Sequence, residues 1–195
     1  MAFAVGAVPA LAATSLNVPI VASAPSLDPH ASSAFTTAGV AKLEYTSTGA
    51  SATEPASVRV ASDNSSLYVR FDVPQQREQI IGFAGGDSVA VDLWPNGASG
   101  DQYHIGVGVD GNRTSDSTDN TAGWQTAAAS NSGGYTVTVK IPMSAVGTSN
   151  SRVQFSRWIS SIGEEQVWSH TSAQKADDQV AQAGTLTFAA AVGKN

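Results

Sequence analysis

Hydrophobic and polar residues alternate in short runs along most of the chain. Residues 66–73 are the clearest case, with Leu67, Val69, Phe71 and Val73 predicted on one face of a strand. Similar runs lie at 57–61, 88–93, 102–109, 124–129, 135–141, 153–160, 166–169 and 184–188. This pattern predicts nine or ten short strands and no long helix.

Turn residues separate these runs. Asp63, Asn64 and Ser65 lie between the runs at 57–61 and 66–73, and Asn96 and Gly97 follow the run at 88–93. Short alternating strands with turns at this spacing predict an all-β fold, an antiparallel two-sheet β-sandwich of the jelly-roll or immunoglobulin-like type.

Three long connections interrupt the strands, at 74–86, 110–123 and 170–183. In sandwiches such loops gather at the ends and often carry binding residues. Only residues 75–81 and 144–146 have a sequence that suits a helix.

The N-terminal segment differs from the rest, and Asp28 is the first charged residue. Residues 1–13 are apolar and contain an Ala-x-Ala motif at 10–12, as in a signal-peptide remnant, but lack the basic start of a signal. Residues 14–34 contain three prolines and the alternating run Leu16, Val18 and Ile20, which suits an extended segment. We therefore predict a segment at 1–29 (signal remnant, linker or donor strand) outside a sandwich domain at 30–190.

Composition narrows the classes of function. The net charge is −6, only 13% of residues are charged, and no run of three basic residues occurs, so nucleic acid and anionic membranes are poor partners. The apolar stretches are too short and too interrupted by proline for a transmembrane segment. There is no cysteine, which excludes disulfides and thiolate metal sites. Few charges and many small polar residues are typical of extracellular β-proteins, and we expect a secreted or cell-surface location.

Six phrases follow one another in an order found in one known family. They are SVRVASDNSSLYVRFDV (57–73), GDSVAVDLWPNG (86–97), YHIGVGVDGN (103–112), GGYTVTVKIPMSAVG (133–147), VQFSRWISSIGEEQVWSH (153–170) and GTLTF (184–188). Together they resemble the family 9 carbohydrate-binding modules over residues 27–188. The resemblance implies an extracellular antiparallel sandwich that works with polysaccharide-degrading systems.

The usual sugar clamp of that family is not matched. The resemblance implies that two tryptophans would hold a terminal sugar, one at 83–85 and one within 174–182, and neither stretch contains a tryptophan. The family's acidic residue falls at Ala90 and its basic residue at His104. Any sugar site is therefore expected to be non-standard, with weak affinity.

Five residues are the candidate ligand-binding set. Trp94 ends a predicted strand before a turn, and Trp124 begins one after a polar loop, so both are candidates for stacking on a sugar ring. His104, with Tyr103 beside it, and Arg157 lie in the matching phrases and complete the set.

The other large aromatic residues are predicted to be structural. Trp158 lies in an apolar strand with Phe155, and Trp168 matches a Trp-Ser pair of the family. Tyr68 and Tyr135 lie on predicted strands, where core packing is expected.

No catalytic constellation stands out. Glu164 and Glu165 are adjacent and would point to opposite faces of a strand, and no Gly-x-Ser-x-Gly motif occurs. Oxygen ligands in the loop at 110–120 could hold calcium, but the loop lacks the glutamate of an EF-hand. A solvated loop is the favoured interpretation, and we expect neither an enzyme nor a cofactor.

Two hypotheses for function remain open. The first is a non-catalytic module that binds a polysaccharide or a cell-surface glycan. The alternative is a structural subunit that self-associates into oligomers or filaments, because an apolar N-terminal strand can be donated to the open sheet edge of another copy.

Overall fold

The computed structural model describes residues 14–31, 35–75, 80, 86–97, 101–116, 121–147, 151–170 and 179–189. Within them the strands form two sheets that pack face to face, so the predicted β-sandwich is confirmed. Residues 1–13 and most of the predicted helical piece at 75–81 lie outside the described residues.

The smaller sheet is antiparallel and has five strands. Their spatial order is β2 (Gly39–Lys42), β4 (Ser57–Ser62), β5 (Ser66–Pro74), β10 (Gly134–Pro142) and β9 (Gln125–Asn131). The long alternating strands β5 and β10 form its centre, in the register that pairs Phe71 with Val137. A left-handed residue, Asn64 with φ 69°, closes the β4–β5 turn, as its sequence predicts.

The larger sheet has eight strands, and the strand Arg152–Ile159 lies at its centre. Its main path runs β1 (Ser15–Val18), β13 (Gly184–Phe188), β11 (Arg152–Ile159), β6 (Ser88–Trp94), β7 (Tyr103–Gly108) and β8 (Arg113–Asp116). The strand β12 (Glu164–Val167) pairs with β11 and carries the two-residue strand β3 (Tyr45–Thr46). All pairs are antiparallel except β1 with β13.

The core is formed by the inward side chains of both sheets. Phe71 meets Phe155 edge to face, with ring centroids 6.1 Å apart, and Phe155 packs on Trp168 at 5.4 Å. The predicted structural roles of Trp168 and Tyr135 agree with their burial, at 6% and 0% exposure. Because the inward positions alternate, every second side chain of β6, β7 and β11 faces outward.

The N-terminal strand belongs to the sandwich. The side chains of Leu16 and Val18 are buried in the core, and the chain then crosses to the smaller sheet, where Val21 donates to the Ser62 carbonyl at 2.7 Å. The predicted division at residues 29 and 30 therefore does not mark the start of the sandwich, which includes β1.

Three strands were not predicted from the pattern. These are β2, β3 and β8, each of four residues or fewer, and β8 lies inside the long polar loop at 110–123. The short helix α1 (Met143–Val146) confirms the predicted helical turn, and α2 (Gln179–Gln182) precedes β13.

Candidate functional site

Small residues line the middle of the outer face of the larger sheet. The register places Ser156, Ala90 and Gly106 side by side on β11, β6 and β7, and places Ser88 and Gly108 in the next outward row. Neighbouring strands lie about 4.8 Å apart, so these five residues form a shallow floor about 10 Å wide. Ser88 and Ala90 are half-buried and the other three are buried, and Asp110 and Thr114 lie against the outer side of Gly108. We call this surface the trough.

Trp158 stands at one side of the trough. Its side chain is 39% exposed, and the register places it between Ser88 of β6 and Glu165 of β12. The prediction that Trp158 lies in the core is wrong, because Phe155 points inward and a residue three positions away points to the opposite face. Trp158 thus offers an aromatic face beside a floor of small side chains, and Tyr45, also 39% exposed, lies on β3 in the row of Ser156.

A hydrogen-bonded group of polar side chains limits the other end of the trough. Asp92 accepts from Gln102 Nε2 and pairs with His104 Nδ1, both at 2.6 Å from its Oδ1 atom. The Asp92 side chain is 7% exposed and that of His104 is 32% exposed. The structure therefore brings the predicted His104 to the same face as Trp158, with its ring fixed by Asp92.

A polar cleft lies beside the trough and is partly roofed. It measures about 20 Å³, room for about one water molecule. Its walls are Ser47, Asp92, Gln154, Ser156, Glu165, Val167 and Gln182. Gln154 is held by two bonds with the backbone of Ser169, at 2.6 and 3.0 Å.

The two adjacent glutamates point in opposite directions, as predicted. Glu165 lines the outer cleft, whereas Glu164 accepts from the Thr53 backbone at 3.1 Å and from Gln166 at 2.8 Å. Burial alone would raise the pKa of Glu164, but these hydrogen bonds outweigh it and lower the pKa below its usual value. Glu164 therefore stays ionised in a structural role.

Three of the predicted ligand-binding residues are buried or half-buried. Trp94 and Trp124 are only 5% and 4% exposed, and Trp124 belongs to the core. Tyr103 is half-buried and packs against the same core. The enclosed rings of Trp94 and Trp124 offer no face to a ligand, whereas part of the Tyr103 side chain stays exposed.

Arg157 lies inside the sandwich and is fully buried. Its guanidinium donates to the carbonyls of Glu54 and Pro74 at 2.7 and 3.3 Å, and to the side-chain oxygens of Gln75 and Gln166 at 2.8 and 3.3 Å. These partners come from segments far apart in the sequence. Arg157 therefore closes one end of the interior and is not accessible to a ligand.

The predicted calcium loop is only partly described. Asp110 accepts two hydrogen bonds from Asn112, which lower the pKa of its carboxyl group. Among the described residues, no group of three His, Cys, Asp or Glu side chains is placed to hold a metal ion. In the same part of the chain, no helix has the length and apolarity needed to cross a bilayer.

Sequence reasoning missed Trp158 and Glu165 as candidate site residues. The alternation along β11 could have identified Trp158. Val153 and Phe155 point inward, so every second residue from them also points inward and Trp158 points to the outer face. The small floor residues could not be recognised, because Ser, Ala and Gly are common and only the register aligns them.

The comparisons with known proteins agree with this architecture. No protein-family model and no curated protein matches the chain. Among solved structures, it is similar to a family 9 carbohydrate-binding module from Caldicellulosiruptor kristjanssonii in complex with cellotriose, with 16% identity, a TM-score of 0.68, and coverage of 93% of this chain and 100% of that one. The same module in complex with glucose gives 16% identity, a TM-score of 0.69, and coverage of 92% and 99%.

A third similar structure is a candidate carbohydrate-binding protein from Bacteroides uniformis. The identity is 14%, the TM-score is 0.58, and the alignment covers 91% of this chain and 100% of that chain. At these identities the likeness establishes the fold and nothing finer. The chain has the fold of the family 9 carbohydrate-binding modules.

Proposed function

We propose that this chain is a non-catalytic module that binds a neutral glycan in the trough, outside the cell. The observation that carries the proposal is the position of Trp158, exposed beside a floor of small side chains, with Glu165 next to it and His104 at the far end of that floor. Sugar recognition needs an apolar ring face to stack on and polar groups at its rim. The trough supplies both.

The fold likeness supports the same proposal. The similar modules hold cellotriose and glucose, so a β-glucan oligosaccharide is the first ligand to try. The positions at 83–85 and 174–182, where the family resemblance implies clamping tryptophans, carry none in this sequence. Because this clamping pair is missing, we expect weak affinity.

Affinity electrophoresis through gels that contain soluble β-glucans, backed by calorimetric titration with cellotriose, tests the proposal. Trp158→Ala should abolish retardation, since truncating a central tryptophan typically costs about 2 kcal/mol or more. Trp158→Phe should keep part of it. Val40→Ala is the matched control, because Val40 is 52% exposed on the outer face of the smaller sheet and should leave binding unchanged. Equal retardation of Trp158→Ala and wild type would refute the trough as the site.

The absence of catalysis is part of the proposal. Asp92 and Glu165 line the same cleft, but Oδ1 of Asp92 is engaged by both Gln102 and His104, which suits a structural role. We expect no release of reducing sugar from any glycan, and no cofactor requirement. Hydrolysis by the pure protein that is lost in Glu165→Gln would overturn this expectation.

Strand exchange between copies is the second candidate, and β1 is the observation that favours it. This strand lies at an edge, runs parallel to β13 and is joined to β2 by a long connection at 19–38. The same contacts could form with β1 of a neighbouring copy, which would link molecules head to tail.

Deleting residues 1–27 and adding them back in trans distinguishes the candidates. If exchange operates, the truncated protein should regain thermal stability with a synthetic peptide of residues 12–24, and the full-length chain should form oligomers at high concentration in light scattering. A monomeric full-length chain together with no response to the peptide would exclude assembly by strand donation. Neither result affects the glycan assay, which measures binding at the trough and not at the β1 edge.

A further inference from the structure

A second cavity lies on the opposite side of the sandwich, on the outer face of the smaller sheet. Its volume is about 380 Å³, in the range of sites for small ligands. It is lined by Phe35, Thr36, Ser57, Arg59, Arg70 and Asp72. We call it the arginine groove. The register places Arg59 opposite Arg70 and Ser57 opposite Asp72, so these four outward side chains meet at its floor.

Two guanidinium groups share one carboxylate in the arginine groove. Arg59 Nε donates to Asp72 Oδ2 at 3.1 Å, and Arg70 Nε donates to Asp72 Oδ1 at 2.9 Å. Because one negative charge faces two positive charges, the group keeps a net positive charge.

The two arginines differ in how firmly they are held. Arg70 is 7% exposed, donates to the carbonyl of Ala31 at 3.2 Å and stacks over the ring of Phe35 at 5.9 Å. The side chain of Arg59 is 42% exposed, and within the described residues its Nη atoms donate to no group. Arg59 therefore presents the open edge of its guanidinium to the cavity, while Arg70 and Asp72 fix its position.

The charge of the surrounding face favours an anion. The chain has net charge −6, yet four of its ten lysines and arginines lie on this face, where Lys42 and Lys140 accompany the two arginines. Among the outward positions of the five strands, all of them described, Asp72 is the one acidic residue. The face is thus a positive surface on an acidic protein, which attracts anionic ligands.

A second depression continues the arginine groove along the sheet. It measures about 310 Å³, shares Ser57 and Asp72 with the first, and adds the polar side chains of Asn131 and Thr136. Hydroxyl and amide groups in a row suit the hydroxyls of successive sugar units. The continuous shape suits a chain better than a single small ion.

We propose that the arginine groove binds an acidic polysaccharide, with a uronic acid carboxylate taken by the free Nη atoms of Arg59. A planar guanidinium matches a planar carboxylate with two parallel hydrogen bonds. Ser57 and Thr136 lie together in the next outward row, where their hydroxyls contact the adjoining sugar unit. This site is independent of the trough, from which it is separated by the whole thickness of the sandwich.

Calorimetric titration at low salt with oligogalacturonate and with its methyl ester tests the site, because esterification removes the carboxylate charge and leaves the sugar backbone unchanged. The wild type should bind the acid and not the ester, and added salt should weaken binding. Arg59→Gln should reduce affinity about tenfold or more, and Arg59→Lys should lose less. Lys140→Gln is the matched control, since it removes one charge from the same face outside the groove and should change affinity less than about threefold.

Several results would overturn the proposal. Equal affinity for acid and ester would remove the carboxylate from recognition, and an equal loss in Lys140→Gln and Arg59→Gln would indicate a diffuse charge effect. Tighter binding of sulfated oligosaccharide or polyphosphate, with the same sensitivity to Arg59, would assign the groove to another anion. Trp158→Ala must keep wild-type affinity for oligogalacturonate. The proposal for the arginine groove and the proposal for the trough can therefore be refuted independently of each other.

Discussion

Replacing the buried Arg157 separates a structural role from a ligand-binding role. In Arg157→Met the apolar side chain keeps a similar length, but four oxygens lose their donor: the carbonyls of Glu54 and Pro74 and the side chains of Gln75 and Gln166. A buried acceptor left without a partner costs about 1–3 kcal/mol.

The net magnitude is smaller than the sum of these costs. Removing Arg157 also removes a charge that was expensive to bury, so we expect a loss of about 3–5 kcal/mol. A domain is typically stable by about 5–15 kcal/mol, so the variant should still fold. Urea denaturation followed by tryptophan fluorescence measures the change.

Arg152→Met is the matched control on the same strand. Arg152 is half-buried, and among the described residues its side chain makes one hydrogen bond, from Nη1 to the carbonyl of Ala183 at 3.0 Å. Arg152→Met should therefore lose about 1 kcal/mol or less of stability. A loss below about 1 kcal/mol in Arg157→Met would refute the structural interpretation. So would an unchanged stability accompanied by a fall in glycan affinity.

Three further variants test other parts of the fold. The Asp63 carboxylate accepts hydrogen bonds from the Ser65 backbone and from the Tyr68 hydroxyl, both at 2.9 Å. Burial by itself would raise the pKa of Asp63, but these hydrogen bonds outweigh it and lower the pKa. Asp63→Asn should therefore cost about 1 kcal/mol of stability at pH 7. That difference should disappear as the pH falls below the ordinary value of 3.8, and a constant difference in urea titrations down to pH 2.5 would contradict it. Gly134 has φ 147°, and a β-carbon at this position would collide with the Val73 carbonyl. Gly134→Ala should therefore lose about 2 kcal/mol or more of stability, measured by thermal melts. An unchanged melting temperature would be inconsistent with this backbone conformation. Burial raises the pKa of Tyr135 above its ordinary value of 10.0. The stability of the wild type should therefore fall as the pH rises past 10, and Tyr135→Phe should reduce this fall. The same dependence of stability on pH in both proteins would exclude Tyr135 as the cause.

The strands were predictable where local signals agree. β5 and β10 have nine residues each with regular alternation, and turns with Asn64 or glycine bound them. β2 and β8 have four residues each, and β8 consists of polar residues that form a strand only because β7 offers a partner. Tertiary pairing decides such strands, and a single sequence does not contain it.

The candidate site was less predictable than the fold. The trough depends on a register across three strands, and its tryptophan was assigned to the core although the parity of β11 places it outside. Arg157 sits at an inward position between hydrophobic residues, and nothing local indicates that Glu54 and Pro74 supply acceptors from over 80 residues away. Long-range contacts therefore determine both the buried arginine and the open binding face.

The most direct test of the proposed glycan site is a nuclear magnetic resonance titration of the four indole N–H signals with cellotriose. Trp158 is 39% exposed at the trough, whereas Trp94, Trp124 and Trp168 are each 6% exposed or less. The indole signal of Trp158, assigned through Trp158→Phe, should shift in a saturable manner while the other three stay nearly constant. Saturable binding that leaves the Trp158 signal unmoved, or no shift of any signal up to millimolar concentrations of β-glucan and other neutral oligosaccharides, would contradict the proposal.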